Sequence, residues 1–207
     1  MQQKSPEELY NLGLKNQYAK DYKLAFYYFR QAAEAGSREA MHKLAHIYLN
    51  NSRIVKLNIN EAIKWLDKTE EWDVIANIYF LGEYVKRDIS KAIEYFTKAA
   101  NNLDDANSAW QLAEIFYFGI DVPKDYIEAD KWYKCAFNLY SRIRIDDIDG
   151  AERLGEMYFY GLGTERDESK AVELFDRVID IIFKTSTFVE YDDDHYKELE
   201  MERRRLI

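Results

Sequence analysis

The stretch Leu154-Gly155-Glu156-Met157-Tyr158-Phe159-Tyr160-Gly161-Leu162-Gly163, followed by Asp167 and Lys170-Ala171, decides the fold of this 207-residue chain. A large apolar residue followed by glycine suits a place where two helices cross closely, because the small residue admits the neighbour and the large one fills the space beside it. Beyond Gly161 and Gly163, Asp167 stands four residues before Ala171, where a short side-chain oxygen can accept from the free amides of a helix first turn. Ala171, Phe175 and Val178 then follow at spacings of four and three, which place them on one helical face. The stretch reads as helix A, tight loop, helix B.

The same reading recurs along the chain. The A motif returns as Leu12-Gly13, Leu44-Ala45-His46-Ile47-Tyr48, Ile75-Ala76-Asn77-Ile78-Tyr79 and Leu112-Ala113-Glu114-Ile115-Phe116, with Asn16 in the aromatic position of the first copy. The B motif returns as Ala25/Phe29/Ala32, Ala62/Leu66/Thr69, Ala92/Phe96/Ala99 and Ala129/Tyr133/Ala136, and Thr69 is its one departure from an apolar third position. Asp21, Asn58, Asp88 and Asp125 occupy the cap position, and Glu61 and Glu128 add the third residue of a capping box. The A leucine and the B alanine are 13 residues apart in copy one and 18, 17, 17 and 17 in the others, so the loop lengthens after the first copy. Between Ala129 and Leu154 the spacing of 25 residues predicts a fourth B helix extended through Tyr140.

Composition agrees. Two prolines and eight glycines in a chain that is 47% hydrophobic favour helices around one continuous core. A net charge of −9 opposes a phosphate backbone, and the one basic run, Arg203-Arg204-Arg205, reads as a helix C-terminus, so no nucleic-acid partner is expected. Cys135 is the only cysteine, which excludes an internal disulfide and fits a reducing compartment or a fold that needs no staples. Neither a signal peptide nor a membrane-spanning apolar run is visible, and the chain is read as a cytoplasmic monomer with no membrane partner.

Ile75-Ala76-x-x-Tyr79-x-x-Gly82 with Asp88 and Lys91-Ala92, together with the stretch at 154–171, resembles the Sel-one-like repeat (SLR) family, and the chain as a whole is similar to the tetratricopeptide class. That resemblance implies an all-α, right-handed α-solenoid of about five helix-turn-helix repeats over residues 5–184, with 185–207 as a C-terminal capping segment. Copy two carries Asn51 in place of the loop glycine, so its loop is expected to take another shape. The secreted branch of the family ties each repeat with a cysteine pair, which this chain lacks.

The resemblance also implies that the A helices line a concave surface, with the positions five and two before the Leu, and two and five after it, facing the groove. In copies three to five this register selects Asp73, Asn77, Phe80, Trp110, Glu114, Tyr117, Glu152, Glu156 and Phe159 as the partner-binding residues. Of the twenty positions projected over all five copies, eight are acidic and none is basic, and aromatic rings interleave with the carboxylates. That combination suits a protein partner bearing Lys and Arg, by charge steering and buried ring contacts. Two binding roles fit it: an adaptor or scaffold, or an immunity-type inhibitor that masks a basic toxin or enzyme.

Three groups of side chains bear on chemistry. His42 and His46, one turn apart, can share a metal, but no third ligand stands near them in sequence and His195 lies far along the chain beside Asp192, Asp193 and Asp194, so the pair reads as polar surface. Glu152 and Glu156 have the spacing of an acid/base pair, the basis of a weaker reading as a carboxylate hydrolase, yet no nucleophile motif or Gly-rich phosphate loop accompanies them. Cys135 falls at an otherwise polar B-helix position and reads as an inert thiol. No catalytic residue, cofactor or metal is expected.

Overall fold

The computed structural model describes residues 4–50, 55–142 and 147–185, with side chains placed through Ile182. Asn51, His195, Arg203 to Arg205 and the expected capping segment from residue 186 onward lie outside the described residues. The described residues form ten helices and no strand, in alternating A and B order. The A helices are α1 (Pro6–Tyr18), α3 (Arg38–Leu49), α5 (Trp72–Leu81), α7 (Ala106–Phe118) and α9 (Ile148–Tyr160). Their B partners are α2 (Tyr22–Glu34), α4 (Ile59–Lys68), α6 (Ile89–Asn102), α8 (Tyr126–Tyr140) and α10 (Glu168–Thr185). The fold is an all-α helical-repeat solenoid, and α8 extends to Tyr140 as its spacing predicts.

Two compact units divide the chain, residues 1–99 and 100–207. In the first, Phe29, Leu44, Leu66 and Ile75 are sealed from solvent and continuous with Trp65 and Ile78. In the second, Leu112, Ile115, Met157, Phe175 and Val178 are sealed. These are the repeat-motif positions: every B-face residue, from Ala25/Phe29/Ala32 to Ala171/Phe175/Val178, is buried, Thr69 included. Leu12 and Leu154 are only half-buried. Burying each large side chain stabilises by roughly 1.5–3 kcal/mol, whereas a cap contributes about 1 kcal/mol, so packing holds the array and the caps set where each helix begins.

All five predicted caps form. Asp21 accepts from the amide of Leu24, Asn58 from Glu61, Asp88 from Lys91, Asp125 from Ile127 and Glu128, and Asp167 from Lys170. At Asp167 the Lys170 amide, ahead of the Lys170 side chain, holds the carboxyl below its usual range. Glu61 and Glu128, expected to complete capping boxes, instead pair with Lys64 and Lys131 one turn on. The complete box is at α1, where Ser5 and Glu8 exchange bonds.

A second bond recurs at the same residues. The backbone N–H of each B cap donates to the carbonyl of the A-motif aromatic position: Asp21 to Asn16, Asn58 to Tyr48, Asp88 to Tyr79, Asp125 to Phe116 and Asp167 to Tyr158, all at 2.9–3.0 Å. Loops of different length thus close on one point. α5, α7 and α9 end on Gly82, Gly119 and Gly161 in the left-handed region, while α3 ends on Asn50 in an extended conformation (φ −88°, ψ 104°). Gly163 is held by proximity as well as by its φ of +68°, because a Cβ there would stand 2.4 Å from the carbonyl of Tyr133 on α8.

The small residue of the A motif is equally constrained. A Cβ on Gly155 would lie 2.7 Å from the Phe175 ring, and one on Gly13 would lie 2.5 Å from the Phe29 ring. Alanine in place of glycine gains about 1 kcal/mol of helix propensity, but overpacking a tight crossing costs about 1–3 kcal/mol. Gly155→Ala is therefore expected to lower the denaturant midpoint despite its better propensity, and adding Phe175→Leu should restore part of the loss. A raised midpoint for the single variant would show that the crossing has slack.

Candidate functional site

The nine residues expected to bind a partner fall in both units. Asp73, Asn77 and Phe80 lie on α5 in the first. Asn77 is exposed and its amide donates to the Asp73 carbonyl at 2.9 Å, while Phe80 is half-buried against Phe96, ring centroids 6.1 Å apart, with the Arg87 guanidinium 5.5 Å from its centroid. Trp110, Glu114 and Tyr117 on α7, with Glu152, Glu156 and Phe159 on α9, lie in the second.

In that second unit the side chains form a network. The Tyr133 hydroxyl on α8 donates to Glu114, and burial, then this bond, push the phenol far above its ordinary pKa, so it remains a donor. Trp110 packs edge-on against Tyr133 at 5.4 Å, and the Arg153 guanidinium of α9 sits 5.0 Å from the Trp110 ring centroid. Arg153 also pairs with Glu156 at 2.8 Å; burial works against its charge, but Glu156, with Tyr140 and Glu152, outweighs it and raises its pKa. Tyr117, 42% exposed, rests against Tyr126 and Tyr133, and Phe159 is half-buried against Tyr160.

Two expectations change. The register places Trp110 facing the groove, but it is only 8% exposed because Tyr133 and Arg153 cover its ring; the exposed rings of α7 are those of Tyr117, which is in the register, and Phe118, which is not. The register also held no base, yet Arg153, one residue before Leu154 and outside the projected positions, brings a cation among the carboxylates and ties Glu156 into an ion pair. Glu156 is thereby engaged otherwise than in the acid/base pair that its spacing to Glu152 admits. At Cys135, burial first and Asp104 second raise the thiol pKa, opposite to what a reactive thiolate needs.

The first unit also holds a cleft of about 670 Å³ among its A helices, lined by Tyr10, His42, His46 and Glu71, with Arg38 and Lys43. His42 Nδ1 lies 2.8 Å from Glu71 Oε2, and the two imidazoles meet with ring centroids 4.5 Å apart. One donor atom from each of His42, His46 and Glu71 lies within 4.8 Å of the others. The carboxylate that joins the histidine pair is thus that of Glu71, 29 residues beyond His42. What brings it there is the turn after α4, where Glu70 adopts φ +61°.

The structure is similar to that of a Sel1 repeat protein from Oxalobacter formigenes, with a TM-score of 0.62 and 22% identity over 98% of this chain and 89% of that one. It is also similar to a protective antigen of uropathogenic Escherichia coli strains that displays an SLR fold, with a TM-score of 0.64 and 22% identity over 97% of this chain and 46% of that one. In sequence, 94 residues are 35% identical to the ERAD-associated E3 ubiquitin-protein ligase component HRD3B of Arabidopsis thaliana; they make up 45% of this chain and 15% of that protein. The Sel1 repeat profile matches residues 8–37, 38–69, 75–102, 106–141 and 148–177. The chain belongs to the Sel1 repeat family. Such repeats generally mediate protein–protein interaction as adaptors or scaffolds and are typically non-catalytic. Among the described residues no helix is long and apolar enough to cross a membrane.

The burial of Trp110 makes it a packing residue first. Trp110→Ala should cost about 3–5 kcal/mol of stability, the range for truncating a buried ring, as read by chemical denaturation. Tyr117→Ala, at an exposed ring, should cost far less. Equal costs would contradict this division of roles.

Proposed function

We propose that this chain is a non-catalytic adaptor or scaffold whose A-helix faces bind a protein partner rich in Lys and Arg. The observation that carries the reading is on the second unit: the exposed ring of Tyr117 belongs to the same cluster as Glu114, whose carboxylate Tyr133 holds in place. A carboxylate fixed before binding loses little rotamer freedom on meeting a cation, and an accessible aromatic ring beside it supplies buried area. Glu152 extends the acidic side of that face on α9, Phe159 adds a ring, and Glu156 contributes through its pair with Arg153. On the first unit Asp73, Asn77 and Phe80 present the same kind of surface on a smaller scale. The adaptor reading leaves the chain a monomer without a partner, in the reducing compartment that its lone Cys135 fits.

An immunity-type inhibitor would use the same face and differs in what it binds: one basic enzyme in a one-to-one complex, rather than components of a larger assembly. Affinity capture from the native source, with the bound proteins named by mass spectrometry, separates the two roles.

Kinetics with the captured partner test the face. Raising salt should slow association, because carboxylates steer a basic partner; Glu152→Lys should also slow it, and Tyr117→Ala should speed dissociation by about tenfold or more. Wild-type kinetics in both variants, with binding lost instead in Asp130→Lys on α8, would place the interface on the B helices.

A further inference from the structure

Glu71 breaks a rule that the other A helices obey. Ser5, Ser37, Asp105 and Asp147 each cap their helix with a side-chain bond to a first-turn amide, whereas Glu71, at the same position of α5, makes none. Its carboxylate is directed elsewhere: one oxygen meets His42 Nδ1 and the other takes the Thr69 hydroxyl. Thr69 is the one polar residue in the buried B-face series, 2% exposed, and so the array departs from its repeat at two neighbouring positions that act on the same carboxylate. The Thr69 hydroxyl also lies 3.1 Å from the Trp65 and Leu66 carbonyls, the back-bond open to a threonine at a helix end, so what sets this site apart is its contact with Glu71.

We propose that His42, His46 and Glu71 form a binding site for a divalent transition ion of the zinc type, with Thr69 orienting the Glu71 carboxylate. Two imidazoles and one carboxylate are a donor set that zinc accepts, at bond lengths of about 2.0–2.2 Å, and tetrahedral ligands on such bonds stand about 3.3 Å apart. The three donor atoms already lie within 4.8 Å of one another, so closure needs His46 to approach and the 2.8 Å contact of His42 with Glu71 to open slightly. Both imidazoles are exposed on one face of α3 and can turn about their side-chain bonds. A hydroxyl bond to a ligating carboxylate is the outer support such sites require. The ion takes the place of the proton between His42 and Glu71, and its fourth position opens to the cleft, where water completes the tetrahedron.

Two cations share the cleft and limit its strength. Arg38 is anchored by its bond to the Thr69 carbonyl and its 3.9 Å contact with Glu70, and so holds the turn that carries Glu71. Lys43 repels an incoming cation, while Glu39, whose carboxyl is held below its usual range by backbone and Ser37 bonds, partly offsets it. A micromolar site is expected, tightened by Lys43→Gln. Nitrogen donors disfavour magnesium and calcium, which prefer all-oxygen shells.

The test is calorimetric titration of zinc chloride into the full chain freed of metal with a chelator. One site per chain is expected; His46→Ala and Glu71→Gln should each weaken it at least tenfold, and His195→Ala should leave it unchanged. His46→Ala is the cleanest variant, since an exposed imidazole is removed while the bond of His42 to Glu71 stays, and its melting curve without metal should match the wild type. Cobalt(II) should give the visible bands of tetrahedral coordination in the wild type and not in His46→Ala. No saturable zinc binding, binding that survives both His46→Ala and Glu71→Gln, or binding lost in His195→Ala would overturn the proposal and leave His42 and Glu71 as a simple hydrogen-bonded pair.

Discussion

The bond from the B-helix cap amide to the carbonyl of the A-motif aromatic position is the constraint on which the other features of the repeat rest. Helix ends leave carbonyls without intrahelical partners, and a loop that crosses to an antiparallel neighbour must satisfy them or lose free energy. Here one amide does so in every copy, whether the A leucine and B alanine are 13 or 18 residues apart. Because the same residue caps the B helix with its side chain, a single position fixes both the end of the crossing and the start of the second helix. The A and B faces then meet in constant register, and the Leu-small motif can be packed to the tolerance seen at Gly155 against Phe175.

This accounts for what was legible in sequence. Period, spacing and cap chemistry are local, and they place all five helix pairs, the buried B faces and the extension of α8 to Tyr140. What the register does not capture is contact between helices, within a copy or across copies. Trp110 reads as a groove residue because the register implied by the family resemblance places it there, yet Tyr133 and Arg153 reach it from neighbouring helices and cover it. Arg153 itself escapes a register built on four positions per helix. Glu71 is the same case: joining it to His42 depends on how the α4–α5 turn approaches α3, and the only local sign was that Thr69 stood where an apolar residue belongs.

A common physical pattern links the two regions with functional character. Each places polar side chains where the repeat would otherwise place inert ones, and each supports them with a buried hydroxyl: Tyr133 under Glu114 in the second unit, Thr69 beside Glu71 in the first. A buried donor with a carboxylate partner is satisfied at little cost, whereas one left alone would destabilise the core by about 1–3 kcal/mol; Thr69 can turn to the Trp65 and Leu66 carbonyls as well. Departures of this kind, set against four regular copies, direct attention to particular atoms more sharply than overall charge does. The acidity of the chain is a general property; the fixed carboxylates are specific ones.

The central claim is that one backbone bond closes every repeat, and amide hydrogen exchange followed by NMR reads it directly. The amides of Asp21, Asn58, Asp88, Asp125 and Asp167 lie at loop ends that solvent would otherwise reach, but each is bonded in the structure. The account predicts that these five exchange slowly, with protection comparable to that of mid-helix amides in the same pair. Exchange at the rate of open loops, with the flanking helices still protected, would contradict it.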